Sequence, residues 1–234
     1  MNIQNSVEIL AFDVFGTVVD WHGSIAREVE ALNLGVDDGE FALAWRAGYK
    51  PAMQRVMSGE QGWTLLDDLH RGILDDVLVQ FGVTSLSEEQ KRHLNKAWHR
   101  LDPWPDAVEG LTRLKQRFIL CTLSNGNLGL LANMAKRAGL PWDCILSAEV
   151  FRQYKPHPDT YLGVAKVFDV DPSTVMMVAA HQNDLDSAGS FDLKTAYIER
   201  PQEFGAANPK DVSPSPTNDL HARSLADLAD QLGC

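Results

Sequence analysis

Asp13 stands within a short apolar run, Ala11-Phe12-Asp13-Val14-Phe15, and Gly16 and Thr17 follow it at once. A buried carboxylate is costly unless it has a partner or a task. Gly16 lets the backbone turn tightly, and Thr17 brings a hydroxyl beside the acid. Farther along stand Ser124-Asn125-Gly126, then Lys155 before Pro156, then His181, Asn183 and Asp184. A carboxylate gathered with an amine, an imidazole, hydroxyls and amides suits nucleophilic or acid–base chemistry in a cleft. Each residue also has a plainer role. Asp13 and Asp184 could cap helices, Ser124-Asn125-Gly126 could be a turn, and Lys155 could be a solvated surface residue.

The elements that must carry these residues alternate. The apolar run that holds Asp13 reads as a strand buried on both faces, as in a parallel sheet. Residues 21–34, 38–57, 63–81 and 87–100 then read as four helices with no strand between them. The third has Leu65, Leu66, Leu69, Ile73, Leu74, Val77 and Leu78 at helical spacing, and Ser87 to Gln90 is a capping-box start for the fourth. From there strand and helix alternate, with strands over 118–123, 144–147, 174–180 and 195–198. Helices fall over 105–116, 127–138, 158–168, 184–191 and 224–232. That alternation predicts an α/β fold, a parallel sheet covered by helices on both faces. Residues 1–20 and 100–234 form the expected core domain, and 21–99 a helical insert lying over Asp13 like a lid. Thr17, Ser124, Asn125, Lys155, His181, Asn183 and Asp184 then follow core strands, so the strand ends would bring them into one cleft with Asp13.

The bulk properties narrow the classes of function. A formal net charge of −11 over 234 residues argues against nucleic-acid and anionic-membrane partners. No run approaches the roughly 18 apolar residues of a membrane span, and the N-terminus lacks the pattern of a signal peptide. Three cysteines, Cys121, Cys144 and Cys234, have no metal-like spacing and fit a reducing cytoplasm.

The whole chain resembles the haloacid dehalogenase superfamily. Asp13-Val14-Phe15-Gly16-Thr17 matches its nucleophile motif, and Ser124, Lys155 and Asp184 match its three later motifs. The resemblance implies a Rossmann-like core with a helical cap inserted after the first motif. Two departures point away from the magnesium-dependent phosphatases of the superfamily. Their second aspartate, which protonates the leaving group, is here Phe15, and a metal-binding aspartate is here Ala180. Phe15 neither gives a proton nor binds a metal, and Asp13 with Asp184 alone makes a poor magnesium site.

Both losses are similar to the type II (S)-2-haloacid dehalogenases, which use no metal or cofactor. That resemblance implies Asp13 as nucleophile, with Lys155, Asp184 and Thr17 as its catalytic partners. It places Arg46 and Asn125 at the halide, Ser124 and nearby main-chain N–H groups at the substrate carboxylate, and Phe15, Tyr161 and His181 around the substrate. One departure stands out, since Ala179-Ala180-His181 replaces the Ser-Ser-Asn of better-studied members. The implied reaction takes a small anionic 2-halo acid and water to a 2-hydroxy acid with inversion. It runs through an aspartyl ester that is opened by water beside Asp184 and His181. A magnesium-dependent phosphatase of the same fold and a silent binding protein are the competing readings, and a homodimer is compatible with the sequence. Trp21, Trp45 and Trp63 are expected to pack the insert on the core more than to wall the pocket.

Overall fold

A computed structural model describes residues 3–234. Its centre is strand β1 (Ile9–Phe12), buried at every position. Leu10 and Phe12 pack into the apolar cluster on one face of the sheet, Ile9 and Ala11 into the cluster on the other. This explains why β1 reads as an unbroken apolar run, because in a strand covered on both sides both alternations are core. Burying a side chain of this size contributes about 1.5–3 kcal/mol. Register is held as well, since a slip by one residue would draw the Asp13 carboxylate into the ladder.

β1 is flanked in parallel by β4 (Ile119–Ser124) and β6 (Val175–Ala179). Beyond β4 lies β5 (Cys144–Ser147), and beyond β6 lie β7 (Lys194–Ile198) and β8 (Leu220–Ala222), all parallel. The order β5-β4-β1-β6-β7-β8 puts β1 where the chain switches from one side of the sheet to the other. In such sheets the crevice at the carboxyl ends of the central strands is where ligands bind. Asp13, Asn125 and His181 follow the three central strands at that edge. The helices α6 (Ala107–Leu114), α7 (Leu128–Ala138), α9 (Pro158–Phe168), α10 (Gln182–Gly189) and α11 (Leu225–Leu232) alternate with the strands, with a short turn of helix, α8 (Ala148–Phe151), after β5.

Residues 21–99 hold α1 (Trp21–Glu30), α2 (Asp38–Ala47), α3 (Tyr49–Met57), α4 (Leu66–Gln80) and α5 (Glu88–Asn95), followed by one 3-10 turn (Lys96–His99). Asp20 and Asp37 cap α1 and α2 by accepting the Gly23 and Glu40 N–H groups, and Ser87 with Gln90 forms the expected capping box on α5. The helix expected over 38–57 is two helices meeting at Gly48. A Cβ there would lie 2.4 Å from Ile73 Cγ2, so the bare Cα lets α4 close against the junction. A second feature absent from the sequence reading is a ribbon of two residues per strand. Val19 and Asp20 (β2) pair antiparallel with Pro103 and Asp102 (β3), tying the two crossings between sheet and helical block side by side. No helix of the described residues is long and apolar enough to cross a membrane.

Candidate active site

The tight turn after β1 brings Thr17 back onto Asp13. Its hydroxyl donates to Asp13 Oδ2 at 2.9 Å and accepts the Ala180 N–H at 2.8 Å, which joins the β1 and β6 loops. Lys155 reaches in from the loop before α9 and is anchored by its own N–H, which donates to Asn125 Oδ1 at 2.8 Å. Its Nζ donates to Asp13 Oδ1 at 3.1 Å and also to Asp184 Oδ2. The second Asp184 oxygen accepts the Tyr161 hydroxyl at 2.6 Å. On the opposite side His181 Nδ1 lies 3.0 Å from Asp13 Oδ2.

These contacts decide the charge of the nucleophile. Burial works to raise the Asp13 pKa, but the Lys155 ammonium and His181 outweigh it and hold the carboxyl well below the usual range. Lys155 is moved the other way. Burial opposes its charge, and the two aspartates overcome that and hold the ammonium protonated well above its ordinary value. Asp13 is therefore an anion at any working pH, with an oxygen available to attack.

A cavity of about 660 Å³ opens above these groups, between the strand ends and the α2–α3 junction. Asp13, Lys155, Asp184, Asn125, His181 and Arg46 all line it, and so do Phe15 and Tyr161. Thr17 lies beneath, fully buried. Ser124 lies behind the wall, with its hydroxyl accepting the Gly126 N–H at 3.1 Å. Arg46 is the cation of the roof. Its guanidinium carbon sits 4.1 Å over the Tyr49 ring and 5.6 Å over Trp21, and among the described residues it has no hydrogen-bonding or carboxylate partner. Trp21 and Trp45 are fully buried and do not reach the cavity, while Trp63 packs on Tyr154 with ring centroids 4.9 Å apart. Trp21, on Phe204 and Glu203, and Trp63 join the helical block to the core as expected, whereas Trp45 packs within the block, on Phe41, His70 and Trp98.

Two residues of the site were not singled out from the sequence. Tyr49, the first residue of α3, carries the guanidinium of Arg46 from the last turn of α2, across the junction at Gly48. Glu203 is fully buried and binds the far side of His181, with Oε1 2.7 Å from Nε2. Glu203 lies in the loop after β7, as the other polar residues lie in loops after strands, but nothing local marks it for burial.

A magnesium ion, which phosphate-transferring members of this fold use, does not fit the donor set. Lys155 already places a cation between Asp13 and Asp184. Among the described residues no cluster of three or more His, Cys, Asp or Glu side chains is arranged to hold a metal.

Residues 7–192 match the family model for haloacid dehalogenase-like hydrolases. The chain belongs to this family. Among the relatives it resembles is (S)-2-haloacid dehalogenase 1 of Pseudomonas sp. (strain CBS-3), 30% identical over 86% of this chain and 89% of that one. Among solved structures, a defluorinating L-2-haloacid dehalogenase superposes with a TM-score of 0.93 at 44% identity. The match covers 97% of this chain and 96% of the other. A second L-2-haloacid dehalogenase superposes with a TM-score of 0.92 at 43% identity, covering 97% and 99%.

Proposed function

We propose that the protein hydrolyses short (S)-2-halo acids to 2-hydroxy acids without a metal, through an ester on Asp13. The observation that carries this reading is one cavity lined by an ionised carboxylate and by an arginine with no carboxylate partner among the described residues. An Asp13 oxygen attacks the halogen-bearing carbon in line, and the halide leaves as an anion. No proton donor is required for that step, so Phe15 can stand where a phosphatase needs an acid. Arg46 and the Asn125 amide receive the charge developing on the halogen, where fixed donors act most strongly. Main-chain N–H groups beside Thr17 and Asn125 hold the substrate carboxylate, with Ser124 supporting that loop from behind. Water then attacks the Asp13 carbonyl carbon, so configuration is inverted once, at the first step.

The relatives act on 2-halo acids by name, and a structural relative 44% identical to this chain releases fluoride. The substrate panel therefore runs from chloroacetate and (S)-2-chloropropionate to fluoroacetate. The odd cysteine count supports a reducing, cytoplasmic setting for the reaction.

A single turnover in oxygen-18 water, with enzyme in excess over (S)-2-chloropropionate, tests the reading. The ester path puts the label into Asp13 and leaves the first 2-hydroxy acid unlabelled. Label in that first product would establish direct attack by water and overturn it.

A further inference from the structure

His181 is held between two carboxylates, Asp13 Oδ2 at 3.0 Å from Nδ1 and Glu203 Oε1 at 2.7 Å from Nε2. A neutral imidazole has one N–H and one lone pair, so it would turn a lone pair toward one of these anions. Only the imidazolium donates to both. The far carboxylate is itself fixed. Glu203 is fully buried, accepts Lys210 Nζ at 2.5 Å and Trp21 Nε1 at 3.3 Å, and packs against the bare Cα of Gly16. Lys210 also donates to the Ala180 carbonyl at 2.5 Å, at the foot of the His181 loop.

Charges elsewhere around the ring are already matched. Behind Asp13, Lys155 is shared with Asp184, and behind Glu203 stands Lys210. Both Asp184 oxygens already accept hydrogen bonds, from Lys155 and Tyr161. His181 is the titratable group that touches Asp13 and still keeps about a fifth of its side chain exposed.

We propose that His181 and Glu203 form a dyad whose proton is released when Asp13 is alkylated, after which His181 is the base for ester hydrolysis. This rests on the dehalogenase reading above. Attack by Asp13 forms its C–O bond, breaks the carbon–halogen bond and removes the carboxylate charge. The Nδ1–H then faces a neutral ester, and its proton passes to solvent. Glu203 keeps the remaining proton on Nε2, which leaves the Nδ1 lone pair aimed at the Asp13 carboxyl. Water adds to the Asp13 carbonyl carbon and gives its proton to Nδ1. The ester C–O bond breaks, and the same proton goes to the departing alkoxide. Asp13 emerges as the acid and returns its proton to His181, restoring the starting state. One water is consumed, and one halide and one proton leave.

The ring's environment agrees with this cycle. Burial disfavours the charged ring, but Glu203 and Asp13 outweigh it and lift the His181 pKa to about 9. Glu203 is a positioning residue, since it acts only through His181.

Rapid-quench kinetics with (S)-2-chloropropionate and a pH indicator test the dyad. In the wild type the first halide should be accompanied by one proton before any 2-hydroxy acid appears. His181→Asn should release one halide per site without that proton and accumulate the mass of alkylated Asp13. Its steady-state rate should fall about 10²–10⁴-fold, the usual loss for a general base. Glu203→Gln should keep the halide burst and shift the acid limb of ester hydrolysis to lower pH. Should that variant fail to fold, His181→Asn decides the matter, because it leaves Glu203 with Lys210 and Trp21. Burst and steady state falling together in His181→Asn, or a steady-state rate unchanged in it, would overturn the dyad. No halide from the wild type would instead sink the dehalogenase reading beneath it.

Discussion

The Arg46 guanidinium sits over the Tyr49 ring, 4.1 Å from ring centroid to Cζ, and lines the same cavity as Asp13. An aromatic face stabilises a cation by about 0.5–2 kcal/mol without neutralising it. Arg46 thus keeps its charge for an incoming anion. Nothing in the described protein is orphaned when that charge is removed.

Arg46→Met should therefore lower kcat/KM for (S)-2-chloropropionate by about 10²–10³-fold, the scale for losing one donor to developing charge. Folding stability should move by no more than about 2 kcal/mol, the scale of the lost aromatic contact, because no buried carboxylate loses its partner. Halide release and thermal melts on one preparation check this. A melt that drops in step with activity would make Arg46 a structural residue.

Lys155 should behave in the opposite way. Its side chain is 8% exposed and sits between Asp13 and Asp184. Lys155→Met leaves two buried carboxylates facing each other, and breaking a buried pair on one side costs about 3–5 kcal/mol. Both activity and denaturant midpoint should fall. Asp184→Asn in the same background should recover part of the midpoint without recovering turnover. A midpoint that stays put in Lys155→Met would show that the pair is solvated.

The pH dependence of stability follows from the same ring of charges. His181 binds its proton more tightly folded than unfolded, with a pKa lifted from 6.5 to about 9. Its contribution is complete below 6.5 and is lost as pH rises toward 9. Glu203 is shifted the other way. Burial would raise its pKa, but His181 and Lys210 bring it from 4.5 to about 2. That contribution is present above 4.5 and is lost as pH falls toward 2. Asp13, also held low, adds to the acid side. Melting temperature should be highest between about pH 4.5 and 6.5 and should decline from 6.5 to 9. His181→Gln should flatten the alkaline decline, and an unchanged slope in that variant would assign the decline to another group.

Much of this arrangement could be read from the sequence because the central strands are buried on both faces. An unbroken apolar run such as Ile9–Phe12 is an unambiguous signal, and the polar residues after each run mark the ligand edge. Asp13, Lys155 and Asp184 meet there although 142 positions separate the first two. What escaped the reading depends on contacts that leave no local pattern. The β2–β3 ribbon has two residues per strand, too few for an alternation to show. At Gly48, where the two helices meet, Ile73, 25 positions away by sequence numbering, occupies the space of a Cβ. Ser124 sits in the expected loop, but its hydroxyl is engaged by the Gly126 N–H, which only the turn geometry reveals. Glu203 looks like an ordinary loop acid until the fold buries it beneath Gly16.

Gly16 offers a test of how tightly that buried acid is held. Its φ of +84° lies in the left-handed region, and an added Cβ would fall 2.4 Å from Glu203 Oε1. A left-handed non-glycine residue costs about 1–2 kcal/mol on the backbone alone. Gly35 has a similar φ of +73° with nothing within 4 Å of its Cβ position, so Gly35→Ala isolates the backbone cost. Gly16→Ala adds a clash with a carboxylate that His181, Lys210 and Trp21 hold on three sides. It cannot swing aside without giving up those partners. Gly35→Ala should lose about 1 kcal/mol and keep full turnover. Gly16→Ala should lose at least about 2 kcal/mol and slow ester hydrolysis more than halide release, as expected when Glu203 is pushed off His181. Equal behaviour of the two variants would mean that Glu203 relaxes freely and that its hold on the imidazole is loose.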